Sequence, residues 1–156
     1  MPSLDQLSEV LRNSLLTLPV PVNDGAPFRP LPRPLAECRL ALVSTAGLHL
    51  RGDRPFSGGD PSFRDIPAES SANDVLQSHT SISFDRTPAL QDLNVIFPMD
   101  RLRELAAAGA IGSLAPTFYS FMGAQRDTTH IDCETAPAVA ERLLAEQVDA
   151  VLLVPV

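Results

Sequence analysis

Thr135-Ala136-Pro137-Ala138-Val139-Ala140-Glu141-Arg142-Leu143-Leu144-Ala145-Glu146-Gln147-Val148-Asp149-Ala150-Val151-Leu152-Leu153-Val154-Pro155-Val156 decides the fold class. Thr135 opens a helix that sets Val139, Leu143 and Leu144 on one face, and residues 148–156 then read as a fully buried strand. The same alternation recurs upstream. Residues 39–43 form a short apolar, β-rich run that passes into Ser44-Thr45-Ala46-Gly47, the pattern of a buried parallel strand opening into a loop. Residues 94–97 return to strand character, Asp100 caps a helix with Leu102 and Leu105 facing inward, Gly109 ends it, and residues 111–114 supply the next strand. The order β, α, β, α, β predicts an α/β protein with a mostly parallel open sheet in a Rossmann-like layered architecture.

The first 36 residues look different. Ser3-Leu4-Asp5-Gln6 has the form of a capping box, and Leu4, Leu7, Leu11, Leu15 and Leu18 recur at helical spacing, which predicts an amphipathic helix over residues 1–18. Six prolines between Pro19 and Pro34 exclude regular structure, so residues 19–36 are expected to run as an extended arm ahead of an α/β domain over residues 37–156. Residues 48–86 are polar and rich in Gly, Pro, Asp and Ser, with few signs of a core element; irregular stretches of that length are often functional.

Composition narrows the chemistry. The 156 residues are 44% apolar, enough for one domain with a small core. Twelve basic against nineteen acidic residues give a net charge of −7, which opposes nucleic-acid binding. All twelve basic residues are arginine, so Schiff-base lysines and Walker-type phosphate binding are excluded as chemistry of this chain. No apolar run is long enough to span a membrane and no secretory signal pattern opens the chain, so a cytoplasmic location without membrane contact is expected. Cys38 and Cys133 are too few and too far apart for a disulfide framework or a four-cysteine zinc site, and read as reduced thiols. Cys133 precedes a helix, yet nothing pairs it with Cys38 at motif spacing.

In open α/β sheets, reactive groups gather beyond the carboxyl ends of the strands. The last strand stops where that crevice begins, is apolar on both faces, and needs a covering helix; Val156 is therefore expected to mark an interruption that leaves the domain truncated. The alternative is an edge strand covered by the N-terminal helix or by a second subunit.

Several blocks occur in a recognisable order: residues 44–56, Ser62-Phe63-Arg64-Asp65-Ile66-Pro67, Ser78-His79, residues 92–102, and Gly112-Ser113-Leu114-Ala115-Pro116-Thr117-Phe118-Tyr119-Ser120-Phe121-Met122-Gly123. Together, from about residue 40 onward, they resemble the selenoprotein B family, the B-type subunits of glycine, sarcosine, betaine and D-proline reductases. The resemblance implies reductive cleavage of a C–N bond of a small amino acid or related amine. A selenol or thiol attacks the α-carbon of a substrate activated elsewhere on a pyruvoyl group, and a thioredoxin-like dithiol donor regenerates the enzyme. It also implies partner subunits of a reductase complex, and a selenocysteine or cysteine just beyond Val156, with a UGA codon read as a stop. A nucleophile between a strand end and a helix would meet unpaired N–H groups that favour its anion.

The candidate site residues carry two readings each. His49 and His79 lie within matched blocks and are the candidate catalytic groups, for orienting a carboxylate or moving a proton; the plain reading is a loop histidine satisfied by a backbone carbonyl. His130 reads as structural or exposed. Arg51, Arg54 and Arg64 have the chemistry to clamp a substrate carboxylate, or to pair with Asp53, Asp60 or Asp65 nearby. Arg101 and Arg103, beside Asp100 and Glu104, read as an exposed charged face. Thr117, Tyr119 and Ser120 bring hydroxyls to the loop expected after residue 114, where Phe118 and Phe121 would anchor it. Ser44 and Thr45 could offer backbone donors to an anion, although a strand-to-loop turn needs small residues anyway. No short His-x-x-x-His spacing supports a metal. A non-catalytic small-molecule-binding or subunit-docking module is the competing reading, and an acid–base enzyme using His49 and His79 alone is a third.

Overall fold

The computed structural model describes residues 3–17, 25, 29–81 and 84–156. Residues 19–24 and 26–28 of the proline-rich arm, and Leu18, lie outside the described residues. The capping box forms, but around a 3-10 turn at Leu4–Gln6; the helix α1 (Glu9–Leu16) starts afresh with the Ser8 hydroxyl accepting from the Leu11 N–H. None of its residues is buried, so α1 does not cover the sheet.

The centre of the fold is β1 (Arg39–Ser44). Two short strands, β5 (Ser113–Leu114) and β6 (Thr117–Phe121), run parallel to β1 on one side, and β7 (Ala150–Val154) runs parallel to it on the other. Outside β6 lies β3 (Phe63–Pro67), antiparallel. A separate antiparallel pair joins β2 (Leu48–Leu50) to β4 (Val75–Gln77). The molecule is thus mixed α/β with a mostly parallel sheet, as expected, but with an antiparallel edge and a second small sheet that a purely doubly wound layout lacks.

Alternation along the strands explains the two cores. Past the short helix α2 (Thr87–Gln91) comes α3 (Met99–Ala107), and Leu40 and Leu42 of β1 and Phe118 of β6 point to the side carrying its Met99 and Leu102. Val43, Tyr119 and Phe121 point to the other side, against Val139 and Leu143 of α4 (Ala136–Ala145). The Phe97 and Phe118 rings meet edge to face at 6.0 Å in the first core. Burying a ring the size of Phe118 contributes about 2–3 kcal/mol, so each face is a real packing surface.

Several expectations change. Residues 94–97 are no strand: Asp92 caps a 3-10 turn at Leu93–Val95, its side chain accepting from the Asn94 N–H at 2.9 Å, and Pro98 then starts α3. Asp100 sits in the first turn of α3 instead of capping it, while Gly109, at φ +73°, ends the helix region as anticipated. Residues 48–86 carry three strands and bury Leu48, Phe56, Ile66 and Val75, because their short strands are interleaved with polar turns. The helix before β7 forms, but β7 itself is not fully buried: among the described residues it pairs only with β1, and Leu153 is 68% exposed.

Candidate strand-end site

The parallel register brings the carboxyl ends of three strands to one edge, since Ser44 lies beside both Ser120 and Val154. Just past these ends stand Thr45, Gly123 and Val156. Thr45 Oγ1 accepts the Val156 N–H at 2.8 Å, and the Thr45 N–H donates to the Val154 oxygen at 3.2 Å, which ties β7 to the loop after β1. Ser44 is buried and donates to the Ile96 oxygen at 3.0 Å while accepting from the Ala46 N–H at 3.2 Å. That loop turns at Gly47, whose φ of +65° suits glycine and whose Cα faces the His79 backbone; a β-carbon there would lie 3.1 Å from His79 N and Cα. The Ser78 N–H donates to the Gly47 oxygen at 2.9 Å and Gln77 Nε2 to the Ala46 oxygen at 3.1 Å, so the chain enters His79 from a fixed direction.

His79 is only 2% exposed. Its Nδ1 accepts the Ser81 N–H at 3.2 Å, which assigns the proton of the neutral ring to Nε2. Burial, and then the Arg86 guanidinium that donates to the His79 oxygen, push its pKa below the usual 6.5. Nε2 is buried and has no hydrogen-bond partner among the described residues. It faces Gly123: a β-carbon on that glycine would stand 2.7 Å from Nε2, 2.7 Å from the Val156 oxygen and 2.8 Å from the Thr45 oxygen. The site therefore presents one unused N–H donor packed against side-chain-free backbone.

The other anticipated residues are not gathered there. His49 is buried in β2, where its Nδ1 lies 2.8 Å from the Leu50 oxygen, and no hydrogen bond joins it to His79 among the described residues. Arg51 is exposed and donates to the Asn73 oxygen at 3.1 Å, and Arg54 is exposed on the same loop. Arg64 pairs with Asp60 at 3.3 Å and lies over the Phe56 ring at 4.2 Å. Thr117, Tyr119 and Ser120 are in β6 instead of a following loop, because the strand interrupted at Ala115-Pro116 resumes. Thr117 starts β6 and so lies at the opposite end of the sheet. Tyr119 faces α4, its ring 5.9 Å from Phe63, and burial, followed by the charges of Glu146 and Asp65, raises its pKa; it stays a phenol. Ser120 points inward and accepts the Leu48 N–H at 2.8 Å. Among the described residues no cluster of three His, Cys, Asp or Glu could hold a metal ion. Cys38 is buried ahead of β1, its Sγ 3.4 Å from the Arg33 oxygen, and Cys133 is exposed before α4.

Sequence reasoning missed Gly123 and Gly47 as site residues. Both lie inside the quoted blocks, but their role is to leave room, which no side chain announces. It also misplaced Arg103, which is half-buried and spans to the Ala68 and Ser70 oxygens as well as to Asp100 at 2.7 Å.

A profile described as glycine/sarcosine/betaine reductase selenoprotein B matches residues 13–156. The chain is 40% identical over 135 residues to the D-proline reductase subunit gamma of Acetoanaerobium sticklandii, covering 86% of this chain and 55% of that protein. It is 30% identical over 146 residues to the glycine reductase complex component B subunit gamma of Carboxydothermus hydrogenoformans, covering 90% of this chain and 33% of the other. It is also 32% identical over 111 residues to the sarcosine reductase complex component B subunit beta of Peptoclostridium acidaminophilum, covering 67% and 25%. The chain thus spans 55% of the first of these relatives and a third or less of the others. No solved structure matches it at a significant level. No helix among the described residues is long and apolar enough to cross a membrane. With a match that runs from residue 13 to Val156 and includes every strand of the sheet, the chain belongs to the glycine/sarcosine/betaine reductase selenoprotein B family.

Proposed function

We propose that this chain supplies the strand-end pocket of a B-type subunit in a reductase complex that cleaves the C–N bond of a small amino acid or related amine. The relatives named above are parts of glycine, sarcosine and D-proline reductases, which supports a place among other subunits of such a complex. The observation that carries the reading is His79 Nε2, a buried donor with no partner among the described residues, held beside Gly123 where β1, β6 and β7 end.

The nucleophile is a selenol or thiol expected beyond β7: its anion bonds to the α-carbon as the C–N bond breaks and nitrogen leaves as a protonated amine. A donor thiol then attacks the bonded selenium or sulfur, so that the carbon takes up a proton and the second donor thiol closes the disulfide. Overall the C–N bond is reduced by two electrons and the dithiol donor becomes a disulfide. In this pocket the Nε2–H of His79 donates to the nucleophile's anion and favours that attacking form. The neutral ring suits the role, because burial and Arg86 disfavour a second ring proton. Gly123 lets the backbone pack against the His79 ring, and Thr45 fixes the end of β7 beside it.

The test is turnover by the intact complex isolated with this chain, given a dithiol and glycine, sarcosine, betaine or D-proline, with the nitrogen product measured. Dithiol-dependent reduction of at least one substrate is expected, and His79→Ala should lower kcat/KM by about 10²-fold, as loss of a preorganised donor does. Absence of turnover with all four substrates overturns the reading. A subunit-docking role without catalysis is favoured by one observation, the exposed apolar residues Val151, Leu152 and Leu153 on both faces of β7; it predicts assembly of the complex with kcat/KM unchanged by His79→Ala.

A further inference from the structure

Beside the strand ends lies an open cavity of about 640 Å³, lined by Gly58, Gly59, Thr80, Gln125, Arg126 and Asp127. It adjoins His79 and Gly123 through the chain itself, since Thr80 follows His79 and Ala124 follows Gly123. Its walls are braced. Gln125 Nε2 donates to the Asp60 oxygen at 2.9 Å and to the Met122 oxygen at 3.1 Å, locking the turn after β6 onto the loop that precedes β3. Asp60 is in turn held by the Ser62 N–H at 2.9 Å and by Arg64 at 3.3 Å. Two left-handed residues shape the rim, Gly59 at φ +72° and Ala124 at φ +54°. The second is costly for a residue with a β-carbon, and such backbone persists where surrounding contacts enforce it.

Arg126 projects on this cavity with no ion pair or hydrogen bond among the described residues. Arg103 and Arg142, by contrast, are each held at 2.7 Å by a carboxylate, of Asp100 and Asp65. The neighbouring Asp127 is a carboxylate but makes no ion pair with Arg126; its Oδ1 accepts the Thr129 N–H at 2.9 Å within its own turn. The Thr80 hydroxyl belongs to the same lining, 3.7 Å from where a β-carbon on Gly58 would lie. An unpaired guanidinium and a hydroxyl lining one cavity are a donor set for a small planar anion, and a carboxylate matches the guanidinium fork in two parallel hydrogen bonds.

We infer that this cavity receives the carboxylate of the small amino-acid substrate, with Arg126 as its charged partner and Thr80 as a second donor. The inference rests on the reductase reading and adds to it the group that tells a substrate acid from a plain amine. Arg51 and Arg54, nearer in sequence to the first matched block, do not line this cavity.

The test compares binding to the intact complex, measured by calorimetry without dithiol, of glycine and D-proline against glycinamide and D-prolinamide. The acids should bind more tightly than the amides. Arg126→Gln should weaken acid binding about 10- to 100-fold, the range of a charge-assisted bidentate pair, and leave the amides unchanged, with Arg126→Lys in between. In turnover, Arg126→Gln should raise KM for the acid and change kcat little. Equal binding of acids and amides, no binding of either acid, or an Arg126→Gln complex that matches wild type overturns the inference. Failure of the reductase reading is distinguishable, because it abolishes turnover while leaving the acid-over-amide preference and its Arg126 dependence in place.

Discussion

Thr45 Oγ1 accepts the Val156 N–H at 2.8 Å and lies 3.3 Å from the Val156 oxygen, so one hydroxyl grips both polar groups of a residue 111 positions away. The contact is what aligns the end of β7 with the pocket of His79. Thr45→Val keeps the shape and removes the hydroxyl. It should cost about 1 kcal/mol, the net worth of a hydrogen bond of this kind, and should speed hydrogen exchange at the Val156 amide more than at amides within β1. Equal protection of Val156 in both proteins would show that β7 ends where it does without the clamp.

Gly123 is required for space. In Gly123→Ala the new methyl meets the Val156 and Thr45 backbone oxygens at 2.7 and 2.8 Å, and backbone cannot swing aside as a flexible side chain can. A destabilisation of about 1–3 kcal/mol is expected, the usual cost of overpacking. Gly112→Ala should behave alike, with a β-carbon 2.6 Å from the Glu37 carbonyl carbon. Gly52, in open space and without a positive φ, is the control: Gly52→Ala should leave the urea midpoint nearly unchanged.

The fold was legible where a single physical pattern governs a segment. Residues 39–43 and 150–154 are aliphatic runs that suit a parallel sheet, and residues 135–145 alternate at helical period, so the α/β class follows. It was illegible where side chains compete with the backbone. Asn94-Val95-Ile96-Phe97 looks like a strand, yet the Asp92 carboxylate and Pro98 force a tight helical turn. Residues 48–86 look like a loop, because strands of three to five residues leave too few positions for a period to show. At the site, His79 was visible as a residue but its orphaned Nε2 was not, since that depends on which way Ser81 and Gly123 turn. The arginine that reaches the cavity was likewise hidden, because its direction depends on Ala124 taking a left-handed conformation.

Arg103 shows how far a charged residue on a helix can depart from an exposed face. Its Nε donates to the Ala68 oxygen at 2.9 Å and one terminal nitrogen to the Ser70 oxygen at 2.7 Å, closing the turn after β3 onto α3. Arg103→Lys keeps the charge and loses the fork, so it should recover only part of the stability lost in Arg103→Ala. The alanine variant should lose about 1–3 kcal/mol, because two partly buried carbonyls lose their donor. Thermal unfolding of the pair checks this; a lysine variant as stable as wild type would show that charge alone matters. Arg101→Ala, which breaks only the exposed 2.9 Å pair with Glu104, should change stability by less than about 0.5 kcal/mol.

His79 gives the chain a built-in sensitivity to mild acid. Burial and the Arg86 charge hold its folded-state pKa below 6.5, the value expected when the chain is unfolded. Between the two values the unfolded chain binds more protons than the folded one, so stability rises with pH across that window and is level above it. The stabilisation is complete above about pH 6.5 and is lost as pH falls toward the folded-state value. His130, exposed and paired with Glu134 at 3.4 Å, is the comparison residue. Urea midpoints measured from pH 7.5 to pH 5 should fall for wild type and for His130→Gln, and should fall less steeply for His79→Gln, which cannot take up the proton. A His79→Gln profile parallel to wild type would mean that the ring is not held neutral, and with it would go the Nε2–H donor on which the anion-holding role of this pocket depends.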